Sequence, residues 1–101
     1  MAKRYDIRIT LISQIGKCPA GHKVGDQWTI HRHTPAGMCM GAFNSLTPFI
    51  TTLRFGGVFP WEKNPNEATF CCPDPKVVNT FKLERIVPDG ETEQKDEPKT
   101  C

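Results

Sequence analysis

The chain has 101 residues, of which 38% are hydrophobic and 24% charged, and its formal net charge is +2. A chain of this length forms one domain, and its balance of apolar and charged residues is that of an ordinary globular protein. No apolar run approaches the roughly 20 residues that a membrane span needs. The N-terminus lacks the apolar stretch of a secretion signal, so we expect a cytoplasmic protein. Its five cysteines are then reduced, metal-bound or redox-active rather than paired in disulfides.

Charge is distributed unevenly along the chain. Residues 88–101 hold five acidic and two basic residues, a net charge of −3, and no aliphatic or aromatic side chain. This composition predicts a single globular domain over residues 1–87 and a disordered acidic tail over residues 88–101. The domain carries a net charge of +5. Its basic residues are scattered and are not interleaved with aromatic ones, which argues against a nucleic-acid partner.

The first predicted elements are two strands separated by a loop. Apolar residues at alternate positions indicate a half-buried strand at the start of the chain. These residues are Tyr5, Ile7, Ile9 and Leu11. Residues 16–26 hold three glycines and one proline, and this composition predicts a shaped loop. A second strand is predicted over Gln27–Arg32, with Trp28 and Ile30 on one face.

The next predicted element is a helix. Its apolar residues recur at intervals of four and three positions, the spacing by which a helix packs on a core. They are Cys39, Phe43, Leu46, Ile50 and Leu53. Pro48 lies inside this segment and removes a backbone hydrogen bond, so we expect either a kink or two short helices, with Thr47 capping the second. Gly56 and Gly57 are predicted to end the helix.

Two further strands are predicted at Glu67–Cys72 and at Val77–Ile86, with a proline-containing turn between them. The elements together predict an α+β fold. We expect a small, mostly antiparallel sheet or partial barrel of about four strands, with one kinked helix packed on it.

Cysteines and one histidine are the residues that could form a site. Cys18 and His22 are separated by three residues, and they resemble half of a zinc knuckle, in which a turn presents a second ligand beside a cysteine. Cys39 lies at the predicted start of the helix, where unpaired N–H groups favour a thiolate. Cys72 lies on the inward face of the third predicted strand, whereas the adjacent Cys71 points outward.

Cys18, His22, Cys39 and Cys72 are therefore the candidate metal ligands. Three cysteines and one histidine suit zinc, and thiolates also suit iron. Core packing is the competing interpretation of each cysteine, because cysteine is among the most buried residue types. Cys39 with His22 as its base is the one credible catalytic pair, but no third group stands out to orient it. No catalytic residue is therefore predicted.

Two functions from different classes follow from these residues. The first is a small metal- or thiol-centred accessory protein of the cytoplasm. The alternative is a non-catalytic module for ligand binding, protein binding or homo-oligomerisation, with Trp28, Phe59 and Trp61 exposed as its contact surface. His31 and His33 share one strand face and are predicted to be surface residues.

Several spaced motifs follow one another over about residues 5–86. They are C-P-x-G-H-x-x-G-D-x-W from Cys18, P-x-G-x-C-x-x-A from Pro35, L-x-F-G-G-x-x-P-W from Leu53, C-P-D from Cys72 and F-x-L-x-R from Phe81. Their order resembles that of a family of short prokaryotic proteins with no known function, so the resemblance implies no activity or cofactor. It includes the positions of Cys18, Cys39 and Cys72, which favours a common site. Cys71 and the tail after Ile86 are features of this chain alone.

Overall fold

The computed structural model describes residues 4–72 and 74–87. The tail predicted for residues 88–101 lies outside the described residues. The elements are the strands β1 (Asp6–Ile15) and β2 (Gln27–Ile30), the helix α1 (Met40–Arg54), and the strands β3 (Glu67–Cys71) and β4 (Val78–Ile86). In this part of the chain, no helix combines the length and the apolar character that crossing a bilayer requires.

The four strands form one open sheet in the order β2-β1-β4-β3, and every neighbouring pair is antiparallel. One helix packs on this sheet, so the predicted α+β fold is confirmed. The bounds of β2, β3 and β4 differ from the predicted ones by at most two residues. The first strand is longer than its alternating pattern indicated, because β1 continues past Leu11 to Ile15.

The core lies between α1 and one face of the sheet, because the apolar residues of β1 and β4 alternate with polar ones. The large side chains that are fully buried are Ile7, Ile9, Leu11, Leu46, Leu53, Phe81 and Leu83. Each such side chain contributes about 1.5–3 kcal/mol relative to an exposed position. On the opposite face of the sheet, Arg8 and Thr29 are exposed.

The helix α1 is continuous from Met40 to Arg54, with Pro48 inside it. The predicted alternative of two short helices is therefore wrong, and Thr47 is not a cap: its hydroxyl donates to the carbonyl of Phe43 in the preceding turn. A proline inside a helix costs about 3 kcal/mol. Leu46 and Ile50 are buried on either side of Pro48, so the packing of both halves on the sheet offsets this cost.

Gly56 and Gly57 end the helix, as predicted. The N–H of Gly57 donates to the carbonyl of Thr52 at 2.8 Å, and that of Gly56 donates to the carbonyl of Leu53 at 3.2 Å. Gly56 has a φ of 90°, a left-handed conformation that glycine adopts at low cost. The chain therefore leaves α1 through a Schellman motif.

Arg85 ties this end of α1 to the sheet. The side chain is 5% exposed. Its guanidinium donates to the carbonyl of Leu53 at 3.0 Å, to Oδ1 of Asn66 at 3.1 Å and to the carbonyl of Pro65. It also lies over the ring of Tyr5, 5.2 Å from its centroid. One buried cation thus satisfies acceptors from the helix and from the loop before β3.

One irregularity in β1 decides which residues face the helix at the other end of the sheet. The register of β1 against β4 shifts between Leu11 and Ser13, so Ile12 is an extra residue whose side chain is exposed. Beyond this bulge, Gln14 pairs with Asn79. Asn79 is buried on the side of the sheet that packs on α1, and a bulge reverses the facing of every later residue. Gln14 is therefore turned toward the helix side.

Candidate thiol site

A pocket of about 210 Å³ lies where the loop after β1, the N-terminus of α1 and the segment after β3 meet. Cys18, Cys39 and Cys72 all line it. Its polar lining residues are Asp74 and Asn79. The fold thus brings three cysteines that are distant in sequence to one cavity.

A tight turn surrounds the sulfur of Cys18 with backbone N–H groups. The N–H of Gly21 donates to the carbonyl of Cys18 at 3.0 Å, which closes a β-turn with Pro19 at its second position, where a fixed φ is favourable. Gly21 has a φ of 83°, a conformation that other residues rarely adopt. The N–H groups of Ala20, Gly21 and His22 in this turn are among the groups that favour the Cys18 thiolate.

The surroundings of Cys18 favour its thiolate form. Burial by itself raises the pKa of Cys18, but hydrogen bonds to the sulfur outweigh it and lower this pKa below its ordinary value. The donors are the N–H of His22, the side chain of Asn79, and the N–H groups of Ala20 and Gly21. Hydrogen bonds to the charged form of a group favour that form. Cys18 therefore carries more thiolate at a given pH than an ordinary cysteine does.

Asn79 is held in the orientation that this contact requires. It is 3% exposed, and its Oδ1 accepts a hydrogen bond from Nε2 of Gln14 at 2.9 Å. The amide nitrogen of Asn79 is therefore the atom that faces Cys18. Nε2 of Gln14 also donates to the carbonyl of His22 at 2.7 Å. Gln14 thus positions both the amide and the turn around the thiol.

Gln14 and Asn79 were missed in the sequence because neither belongs to a motif. Asn79 leaves one signal: it is a polar residue two positions before Phe81, on the inward phase of its strand. Gln14 leaves none, because it faces the helix side only as a result of the bulge at Ile12.

His22 is a link between the turn and α1 rather than a pocket residue. Its side chain is 8% exposed, and its Nε2 accepts the N–H of Cys39 at 3.0 Å. In the neutral ring, Nδ1 then carries the proton. The edge of the ring packs on Trp28, with 5.0 Å between the centroids. His22 is therefore a buried residue that joins the turn to the start of α1.

Cys39 is the N-cap of α1. Its Sγ accepts the N–H of Ala42 at 3.4 Å, and its backbone is extended, as an N-cap requires. A thiol here takes the place of the oxygen that usually satisfies this donor. Both the main chain and the side chain of Cys39 are therefore held.

Cys72 follows β3 and is half-buried. Its thiol donates to the carbonyl of Val77 at 3.3 Å, and its N–H donates to the main-chain carbonyl of Asn79 at 2.9 Å. The adjacent Cys71 is exposed, as the alternation of side chains along a strand predicts. Asp74 lies in a turn, and its Oδ1 accepts the N–H of Lys76 at 2.9 Å.

A metal centre is not assembled in this arrangement. Within residues 4–72 and 74–87, no three His, Cys, Asp or Glu side chains are grouped so that they could hold one ion. Of the predicted ligands, Cys18, Cys39 and Cys72 share the pocket, whereas Nε2 of His22 is bonded to the main chain. The zinc or iron site on these four residues therefore stays a prediction.

The predicted contact surface is only partly exposed. Trp28 is 9% exposed and packs between His22 and Phe81, so its assignment to the surface is wrong. Phe59 is half-buried, and Trp61 is 62% exposed. The prediction that His31 and His33 lie at the surface is confirmed, since both are exposed.

Comparison of the chain with protein-family models, with curated proteins and with solved structures gave no match.

Proposed function

We propose that the pocket is a thiol site in which Cys18 is the reactive group. Its thiolate forms reversible covalent bonds with small, oxidised sulfur compounds. One observation carries this proposal: Cys18 lines the pocket from a tight turn, and, against the effect of burial, hydrogen bonds from the N–H of His22 and the side chain of Asn79 lower its pKa. The thiolate, not the thiol, is the nucleophile in cysteine chemistry, and these donors stabilise it. The chain is then a thiol-centred accessory protein.

The surroundings of Cys18 fit this role. The pocket of about 210 Å³ has room for a small ligand, and two further cysteines, Cys39 and Cys72, line the same cavity. The four cysteines within the described residues are free. A reducing compartment such as the cytoplasm would keep them so.

The proposal is tested by alkylation with iodoacetamide over a range of pH, with each cysteine quantified by peptide mass spectrometry. Cys71 is the internal reference, because it is exposed. The midpoint of each pH profile is compared rather than the absolute rate, because restricted access of the reagent lowers the rate at every pH without moving the midpoint. We expect the Cys18 profile to have the lower midpoint. A Cys18 midpoint at or above that of Cys71 contradicts the proposal.

A second candidate function is the binding of a soft metal ion, zinc or iron, by Cys18, Cys39 and Cys72. Three cysteines line one pocket, which favours it, but among the described residues their side chains are not close enough to hold one ion and would have to draw together. His22 could join the ligand set only after releasing the N–H of Cys39. Elemental analysis of protein purified without chelator tests this function. Stoichiometric metal that is lost in Cys18→Ser and retained in Cys71→Ser supports it, and a metal-free folded protein argues against it.

A partner-binding role is the remaining candidate, and exposed apolar side chains favour it. Trp61 is 62% exposed and contacts an aromatic cluster. In this cluster the rings of Phe49 and Phe70 are stacked, with 3.7 Å between their centroids. Val58, near Trp61 in sequence, is 55% exposed. Homo-oligomerisation through this surface predicts a sedimentation coefficient that rises with concentration in the wild type and not in Trp61→Ser. Concentration-independent sedimentation of the wild type contradicts it.

We also propose that the chain belongs with the short prokaryotic proteins whose motifs it resembles. The three cysteines common to that resemblance share one pocket here, which supports a common site. A structure of one of those proteins in which the corresponding cysteines lie on separate surfaces would argue against membership.

A further inference from the structure

The proposed reactivity of Cys18 leaves open which thiol completes its chemistry. Resting on that proposed function, we propose that Cys72 is the resolving thiol. The pocket then reduces a low-molecular-weight disulfide by forming an intramolecular disulfide between Cys18 and Cys72, while Cys39 stays reduced.

Asn79 is a common neighbour of Cys18 and Cys72 at the pocket. Its side chain donates to the sulfur of Cys18, and its main-chain carbonyl accepts the N–H of Cys72 at 2.9 Å. The two cysteines thus contact the same residue of β4 from different chain segments, and both line one pocket. Cys18 lies in the loop between β1 and β2, and Cys72 lies just after β3. Neither is inside a helix or strand, so both backbones can adjust to the roughly 4.4–6.8 Å between Cα atoms that a disulfide needs.

Cys39 is a poorer partner because its sulfur caps α1. Its Sγ caps α1 through the N–H of Ala42, and its own N–H is bonded to His22. Moving this sulfur toward Cys18 would disturb the start of the helix. The thiol of Cys72, by contrast, donates to the carbonyl of Val77 at 3.3 Å and does not cap α1.

The proposed reaction has two exchange steps. First, the Cys18 thiolate attacks one sulfur of the disulfide R–S–S–R, forming a Cys18–S–S–R mixed disulfide and releasing RS⁻. Second, Cys72 loses its proton to solvent and attacks Sγ of Cys18, which releases the second RS⁻ and forms the Cys18–Cys72 bond. Two electrons pass from the protein to the substrate. The two released thiolates take up two protons, one from Cys72 and one from solvent, which replaces the proton lost when Cys18 ionised.

The test treats reduced full-length protein with 2-hydroxyethyl disulfide and maps every sulfur by mass spectrometry after acid quenching. The Cys71→Ser chain is used as the background, because the substitution removes the ambiguity between adjacent cysteines. We expect a peptide that links Cys18 to Cys72, with two thiols released per chain. Cys72→Ser in this background should instead accumulate the mixed disulfide on Cys18, whereas Cys39→Ser should still form the internal bond.

Two failures are distinguishable in this experiment. A lasting mixed disulfide on Cys18 in the background chain, or a link from Cys18 to Cys39, overturns the assignment of Cys72 and leaves Cys18 as the reactive thiol. Absence of any Cys18 adduct in every variant contradicts the proposed function itself. Cys72→Ala serves as the second variant if Cys72→Ser does not fold, as judged by circular dichroism.

Discussion

Leu53→Ala tests whether the apolar stripe of α1 holds the helix on the sheet. The Leu53 side chain is 0% exposed within the core. Removing three buried carbons costs about 2.4 kcal/mol at about 0.8 kcal/mol each. The cavity left behind adds a further cost that depends on how far the core relaxes. We therefore expect a loss of about 2–4 kcal/mol in the free energy of unfolding. The main-chain carbonyl that accepts from Arg85 is kept, so the loss reports on packing.

The assay is urea denaturation followed by tryptophan fluorescence, since Trp28 is buried in the native state. Met40→Ala is the matched control, because Met40 lies on the same helix and is 85% exposed. It should change the free energy of unfolding by less than about 0.5 kcal/mol, as is usual at surface sites. A Leu53→Ala effect as small as that of the control would refute the reasoning that this face carries the core.

Three further predictions concern the site, the buried cation and the tail. Asn79→Ala should raise the pKa of Cys18, because it removes a donor to the thiolate; an unchanged alkylation profile in a folded variant would show that Asn79 does not act on the thiol. Arg85→Met should lower the free energy of unfolding by about 2–4 kcal/mol, because it strands buried acceptors, whereas Arg8→Met at an exposed position should cost less than about 0.5 kcal/mol. Equal effects of these two variants would show that the contacts of Arg85 do not stabilise the fold. Deleting residues 88–101 should leave the melting temperature unchanged, because they supply no aliphatic or aromatic side chain; a drop of several degrees would refute this.

The fold was predictable because its elements are short and locally encoded. Alternation at Ile7 and Ile9 indicates a strand with one buried face, and the spacing of Leu46 and Leu53 indicates a helix with one apolar face. Gly56 and Gly57 predict where α1 ends. The continuity of α1 through Pro48 was not predictable locally, because it depends on burial against the sheet.

The candidate site was predictable only in part. Cys18, Cys39 and Cys72 could be identified as inward or helix-capping thiols from local pattern. The side-chain donor to Cys18 could not be identified in this way, because Asn79 lies on β4, far from Cys18 in sequence. The bulge that turns Gln14 inward lies at Ile12, and both Ile12 and Ile15 are exposed isoleucines. Because these exposed residues are apolar, the sequence does not indicate that side chains after the bulge point to the opposite face of the sheet.

Direct titration of the Cys18 thiolate by its ultraviolet absorbance tests the central claim that the fold activates this thiol. A variant that keeps Cys18 as its only cysteine is compared with one that keeps only Cys71, each with the other four cysteines changed to serine. Serine preserves an N-cap acceptor at position 39, so α1 should be retained. We expect Cys18 to ionise at a lower pH than Cys71 in the folded proteins, and the difference to disappear in urea, where the turn and Asn79 no longer supply donors. Ionisation of folded Cys18 at or above the pH found for Cys71 would contradict the account.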